Sequence, residues 1–180
     1  WQEEAARRGL LNLPTTLDAL EQLATESTIN VFEMYGVLSE RELASRHEIA
    51  IDQYFKTVNI EGEMMAQIGR TMILPAAIRY LNELLAVADR GSGHGLELAG
   101  TRRAIDIVNG LVNELSDSLE KLTEENAELG GEEILSKAYH MRDNIIPAMK
   151  AVRGVVDRLE KVIPDDFWPL PTYRDMLFVK

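Results

Sequence analysis

Two stretches of the sequence repeat apolar residues at alternating steps of three and four positions, the spacing that lets one helix pack along another. The first series comprises Ile105, Val108, Val112, Leu115, Leu119 and Leu122. The second comprises Ile134, Ala138, Met141, Ile145, Ala148, Val152, Val155, Leu159 and Val162. Because Gly130-Gly131 lies between the two series, we predict an antiparallel, coiled-coil-like helical hairpin of residues 96–129 and 132–163.

A long helix is predicted ahead of the hairpin. Ser39 and Glu42 have the spacing of a capping box, in which each side chain accepts a hydrogen bond from the other residue's amide. No strong helix breaker follows until Gly91, so we predict one helix over residues 39–90. Pro75 has no amide hydrogen to donate and should kink this helix.

The sequence around Pro75 recurs around Pro147. Residues 73–76 read Ile-Leu-Pro-Ala and residues 145–148 read Ile-Ile-Pro-Ala, with an arginine five positions before each proline. Similar kinks lying side by side would keep two bent helices in contact.

The two ends of the chain differ from this long-helix region. Residues 1–38 are predicted to form a linker and short helices, and residues 164–180 an extended strap, because three prolines interrupt helix there. The fold class is therefore all-α: an elongated helical bundle of residues 39–163 with the strap attached. The strap either caps its own bundle or docks on a neighbouring surface through six candidate residues: Trp168, Leu170, Tyr173, Arg174, Leu177 and Phe178.

Composition excludes several classes of partner. The net charge of −11 disfavours nucleic acid and anionic membranes, and no apolar run approaches the roughly 20 residues of a membrane span. The chain has no cysteine, so it has no disulfide, as is typical of a cytoplasmic protein. Residue 1 is Trp rather than Met, from which we expect a processed chain or a piece of a longer one.

The histidines do not predict a metal site. None of them has a glutamate three positions earlier, as a di-iron helical bundle requires, and His47-Glu48 does not continue into a zinc His-Glu-x-x-His motif. His47-Glu48 faintly resembles the phosphoacceptor box of sensor-kinase dimerisation bundles but lacks the proline that follows it. A stand-alone helical interaction module or a phosphorelay-type dimerisation module is therefore the alternative function.

Two other stretches are interpreted as structural. Gly91–Gly95 follows a helix rather than a strand and has no lysine after it, so we predict a flexible loop and no phosphate site. The seven acidic residues between Asp117 and Glu133 fall at the predicted hairpin tip and form a solvated face. We accordingly expect no catalytic, cofactor-binding or metal-binding residues in this chain.

Five stretches together resemble, in the correct order, the C-terminal region of type III glutamine synthetases. They are residues 8–16 (RGLLNLPTT), 32–46 (FEMYGVLSERELASR), 58–61 (VNIE), 73–80 (ILPAAIRY) and 168–178 (WPLPTYRDMLF). The resemblance covers nearly the whole chain and is weakest between Gly91 and Gly131.

The resemblance implies a parent enzyme that joins ammonia to glutamate, uses ATP with Mg or Mn, and assembles as two stacked hexameric rings. In that family the metal-binding glutamates and the ATP site belong to the catalytic domain that precedes this region. The resemblance therefore implies a non-catalytic domain, inactive alone, that serves packing, oligomerisation or regulation. Its expected partners are the upstream catalytic domain and the other subunits.

Overall fold

A computed structural model describes residues 1–177 of the chain, without the side chain of Tyr173. The described residues form helices and contain no strand, so the predicted all-α class is confirmed. The α-helices are α1 (Gln2–Arg7), α2 (Thr16–Glu21), α3 (Glu26–Met34), α4 (Glu40–Ile68), α5 (Leu74–Gly93), α6 (Ala99–Glu128), α7 (Ile134–His140), α8 (Ile146–Glu160) and α9 (Tyr173–Leu177). Gln22–Ala24 form a 3₁₀ turn after α2.

The predicted long helix is present as α4 and α5, joined by a π-helical segment at Gly69–Ile73. Its capping box is also present: the Ser39 amide donates to Glu42 Oε2 at 2.9 Å, and the Glu42 amide donates to Ser39 Oγ at 3.4 Å. The predicted end at residue 90 is wrong by one turn, because α5 continues to Gly93. The Leu98 side chain covers Gly91, where an added Cβ would lie 2.4 Å from Leu98 Cδ1.

Both prolines follow a π-helical segment of five residues. Gly69–Ile73 precede Pro75, and Met141–Ile145 precede Pro147. A proline nitrogen cannot donate to the carbonyl one turn back, and a π turn changes the pairing of the carbonyls that precede it. The recurring sequence around the two prolines thus accompanies a π-helical segment at both places.

The chain divides into two compact units, each built from two separate stretches. Unit 1 contains residues 1–60 and 128–145, and unit 2 contains residues 61–127 and those from 146 onward. The predicted domains, residues 1–38, 39–163 and 164–180, are continuous stretches of sequence, whereas each of these units combines two separate stretches that contact each other.

Unit 1 has a core of Leu17, Ile51 and Ala138, each at most 2% exposed. Partly buried apolar residues pack around it: Leu20, Tyr54, Ile134, Leu135 and Tyr139. The core therefore joins α2, α4 and α7, which come from distant parts of the sequence.

The residues of both predicted series are buried except near their ends. In α6, Leu115 and Leu122 are fully buried and Leu119 is 1% exposed; in α8, Leu159 is fully buried. Ile105, Ile134 and Val162 are half-buried. An ion pair between Arg158 and Glu114 joins α8 to α6 within unit 2.

The C-terminal strap is extended over only part of the predicted range. Asp165–Phe167 form a turn and Tyr173–Leu177 form α9, so the prediction of an extended segment over 164–180 is wrong at these positions. A short capping box explains α9, since Thr172 and Asp175 have the required spacing.

By length and composition, the continuous helix Glu40–Gly93 meets the requirements of a membrane span. One helix of this kind is weak evidence, because core helices of soluble proteins meet the same requirements. The predicted absence of a membrane partner stays a prediction.

Candidate docking site

A groove of about 500 Å³ lies in unit 2 between the long helix, α8 and the strap. Methionines are prominent in its lining, and an aromatic residue and a proline of the strap complete it. The lining includes Met64, Met65, Met149, Trp168, Pro171 and Met176. We call this surface the methionine groove. Flexible methionine side chains suit a surface that adapts to an apolar partner.

A turn at the start of the strap places Trp168. The amides of Phe167 and Trp168 both donate to the Pro164 carbonyl, at 3.0 and 3.1 Å. The Phe167 ring packs against the Tyr80 ring with 5.6 Å between centroids. Trp168 is thereby only 8% exposed, so it is a core residue of unit 2 as well as part of the groove wall.

The short helix α9 contributes Met176 to the lining of the groove. The Thr172 amide donates to Asp175 Oδ2 at 3.0 Å, and the Asp175 amide donates to Thr172 Oγ1 at 3.3 Å. Arg174 pairs with Asp165, and this carboxylate raises the pKa of the guanidinium. The helix leaves Met176 60% exposed on the groove.

Acidic side chains predominate among the charged residues of the groove. Glu61, Asp157 and Glu160 contribute carboxylates, and Arg153 contributes the one cation among the described lining residues. Arg153 Nε lies 3.3 Å from Asp157 Oδ1. The groove is therefore apolar along its walls and acidic at its charged positions.

A second group of polar side chains lies in unit 1. Arg142 Nη1 donates to Asp18 Oδ1 at 2.9 Å, and Arg142 Nε donates to Asp143 Oδ1 at 2.7 Å. The guanidinium lies 5.0 Å from the centre of the Tyr139 ring, whose hydroxyl donates to Glu21. These contacts connect α2 to the helix that contains Arg142, across 124 residues of sequence.

The ionisation of this group follows from its hydrogen bonds. The pKa of Asp18 is lowered, first by its bond with Thr15 and further by Arg142. The pKa of Asp143 is lowered by Arg142, and the pKa of Tyr139 is raised because its hydroxyl donates to Glu21. The group is thus an ion-paired clasp that holds α2 in place.

The chain was compared with known protein families and curated proteins. A family model described as the glutamine synthetase C-terminal domain matches residues 1–90. The chain belongs to this family. Curated relatives extend the match of this glutamine synthetase C-terminal domain beyond residue 90.

Type-3 glutamine synthetase of Dictyostelium discoideum is 30% identical over 190 aligned residues, which include 100% of this chain and 25% of the relative. Glutamine synthetase of Bacteroides fragilis is 29% identical, with 100% of this chain and 26% of the relative covered. Glutamine synthetase of Butyrivibrio fibrisolvens is 30% identical over 99% of this chain. The chain spans about a quarter of the length of these relatives and is homologous to their C-terminal part.

The structure places the six predicted docking residues in different surroundings. Trp168 is buried by its own chain and Leu170 is half-buried in the groove. Arg174 is exposed, and Leu177 is 75% exposed. Phe178 lies outside the described residues, as does the side chain of Tyr173.

Sequence reasoning missed the groove methionines and the clasp. Met64 and Met65 lie on the long helix, and their partners in the groove, Met149 and Met176, come from distant parts of the chain. The clasp had one sequence signal, the Thr15-x-x-Asp18 spacing of a capping box, which places a carboxylate at the start of α2.

The described residues contain no group of three or more histidines and carboxylates placed to hold a metal ion. The Nε2 atom of His47 is buried and has no hydrogen-bond partner among the described residues. The phosphoacceptor alternative stays a prediction.

Proposed function

We propose that the chain is the non-catalytic C-terminal domain of a glutamine synthetase that ligates ammonia to glutamate with ATP. In this proposal the domain packs on the preceding catalytic part and on neighbouring subunits, and so supports assembly or regulation. The longer enzyme forms two stacked hexameric rings and works in the cytoplasm.

The observation that carries this proposal is the alignment of the chain with the C-terminal quarter of glutamine synthetases. The described residues also offer no cluster that fits Mg or Mn. In this proposal the metal and the ATP belong to the catalytic part, and we derive no chemical step from this chain.

Exposed apolar side chains support a packing role. Met34 and Tyr35 at the end of α3 are each 75% exposed, and Ile78, Leu85 and Val87 on α5 are each 48–49% exposed. Large apolar patches on a protein surface mark interaction sites. A domain covered in part by the rest of its polypeptide would bury such residues.

The first test is enzymatic. The purified 180-residue chain, mixed with glutamate, ammonia, ATP and Mg²⁺, is expected to form no glutamine above the blank. Turnover by the chain alone would disprove the non-catalytic assignment.

The second test concerns assembly. The longer polypeptide, expressed with and without this domain, is compared by analytical ultracentrifugation and by glutamine formation. We expect the truncated protein to lose ring assembly or regulation. Unchanged assembly, activity and response to effectors would disprove the packing role.

A further inference from the structure

The methionine groove has exposed apolar side chains in its lining. Met64 is 46% exposed and Met176 is 60% exposed, and both line the groove. Trp168, which is only 8% exposed, lines the same groove. Exposed methionines next to a rigid aromatic wall are typical of a surface that receives another apolar segment.

The charged residues of the groove indicate which charge its occupant carries beside its apolar side chains. Among the described residues that line the groove, the charged ones are Glu61, Asp157, Glu160 and Arg153, and Arg153 pairs with Asp157, so carboxylates outnumber cations there. The chain as a whole carries a net charge of −11. An occupant with lysine or arginine beside its apolar side chains would complement this surface, and an acidic one would be repelled.

The length of the relatives indicates the source of the occupant. About three quarters of each relative precedes the part that aligns with this chain. In a polypeptide of that length, the preceding part is present at high effective concentration beside the groove. A covalently linked partner therefore needs only modest intrinsic affinity to occupy it.

We propose that the methionine groove seats an apolar segment with basic residues from the catalytic part of the same enzyme, in its own or a neighbouring subunit. This inference rests on the proposed function and deepens it by naming the surface and the chemistry of the partner. Apolar side chains of the partner insert between Met64 and Met176, and its basic groups face Glu61.

Methionine oxidation tests this proposal directly, because the rate at which peroxide forms the sulfoxide follows exposure of the sulfur. The 180-residue chain and the longer polypeptide are oxidised under conditions that modify about one methionine per molecule. Met64 and Met176 are expected to react at least about tenfold more slowly in the longer polypeptide. Met72, 38% exposed, lies outside the groove and serves as the internal control, whereas Met34, 75% exposed and also outside the groove, reports on packing elsewhere on the domain.

The pattern of protection separates the two proposals. Protection of Met34 or Met72 without protection of Met64 and Met176 would support domain packing but overturn the groove assignment. If each of the four methionines is oxidised at the same rate in the 180-residue chain and in the longer polypeptide, the packing proposal itself is overturned. If protection of Met64 and Met176 in the 180-residue chain rises with the concentration of that chain, a second copy covers the groove. If their protection is lost on dialysis, a small ligand covers it. Either result overturns the proposed occupant.

A charge substitution tests the predicted basic character of the partner. Glu61→Lys in the longer polypeptide is expected to restore much of the oxidation of Met64 and Met176. Glu83→Lys is the matched control, since Glu83 is also exposed on the long helix but does not line the groove. Equal protection in both variants would exclude a basic partner.

Discussion

Gly69 lies inside the long helix, at the start of its π-helical segment, and the side chain of Leu119 in α6 packs on it. A Cβ added at this position would lie 2.5 Å from Leu119 Cδ2 and 3.2 Å from Leu119 Cδ1, whereas carbon atoms in contact prefer about 3.5–4.0 Å. Leu119 is only 1% exposed, so its side chain has no open space into which it can turn. Gly69→Ala should therefore overpack unit 2.

The size of the effect follows from two opposing contributions. Replacing glycine by alanine inside a helix stabilises it by about 1 kcal/mol. Overpacking a well-filled core costs about 1–3 kcal/mol. The net change for Gly69→Ala is thus a loss of up to about 2 kcal/mol in the free energy of unfolding.

Two other helical glycines provide matched controls. An added Cβ at Gly110 or at Gly154 would meet no atom within 4 Å. Gly110→Ala and Gly154→Ala are therefore each expected to stabilise the chain by about 0.5–1 kcal/mol. Urea unfolding monitored by circular dichroism measures the change in the free energy of unfolding for all three variants.

A shortened partner side chain completes the experiment. In a Leu119→Ala background the close contact is absent, so adding Gly69→Ala should stabilise the protein by nearly as much as Gly154→Ala does. If Gly69→Ala is as stabilising as Gly154→Ala in the otherwise unchanged chain, the close approach of α6 to Gly69 is refuted.

Three further predictions concern other side chains. Because hydrogen bonds lower the pKa of Asp18, its contribution to stability is present above the ordinary aspartate pKa and is lost as the pH falls through the lowered value; Asp18→Asn should remove this part of the acid dependence, which urea midpoints measured from pH 7 to pH 2 would reveal. Tyr54→Phe should be neutral or stabilising by up to about 1 kcal/mol, because the Tyr54 hydroxyl is buried and has no hydrogen-bond partner in the part of the chain that the structure describes; a loss of stability above that size in chemical denaturation would show that the hydroxyl has a partner. Trp168→Ala should cost about 3–5 kcal/mol, because it empties a buried site in unit 2; a thermal midpoint equal to that of the unchanged chain would contradict the burial of Trp168.

The helices could be predicted from the sequence because their signals are local. The alternation of three and four residues marks the buried face of α6 whatever packs on it, and Leu115, Leu119 and Leu122 are buried as expected. The capping box at Ser39 and Glu42 likewise involves neighbouring residues only. Such patterns do not depend on how distant parts of the chain meet.

The features that sequence reasoning missed depend on the chain path or on a signal that was overlooked. The clasp pairs Arg142 with Asp18 across 124 residues, and no periodicity connects these positions. The methionine groove similarly combines Met64 with Met149 and Met176. The helix α9 has a local signal, the capping-box spacing of Thr172 and Asp175, although two prolines lie just before it.

The interleaved order of the two units limits how this region of the polypeptide can be divided. A fragment ending at residue 90, where the family model ends, would keep Leu17 and Ile51 but would lose Ala138 from the core of unit 1. The same cut would separate the long helix from both α6 and α8, on which unit 2 depends. Genetic recombination that transfers this domain between proteins would therefore have to carry both stretches of each unit together, and a boundary drawn at residue 90 would leave each unit without one of its two stretches.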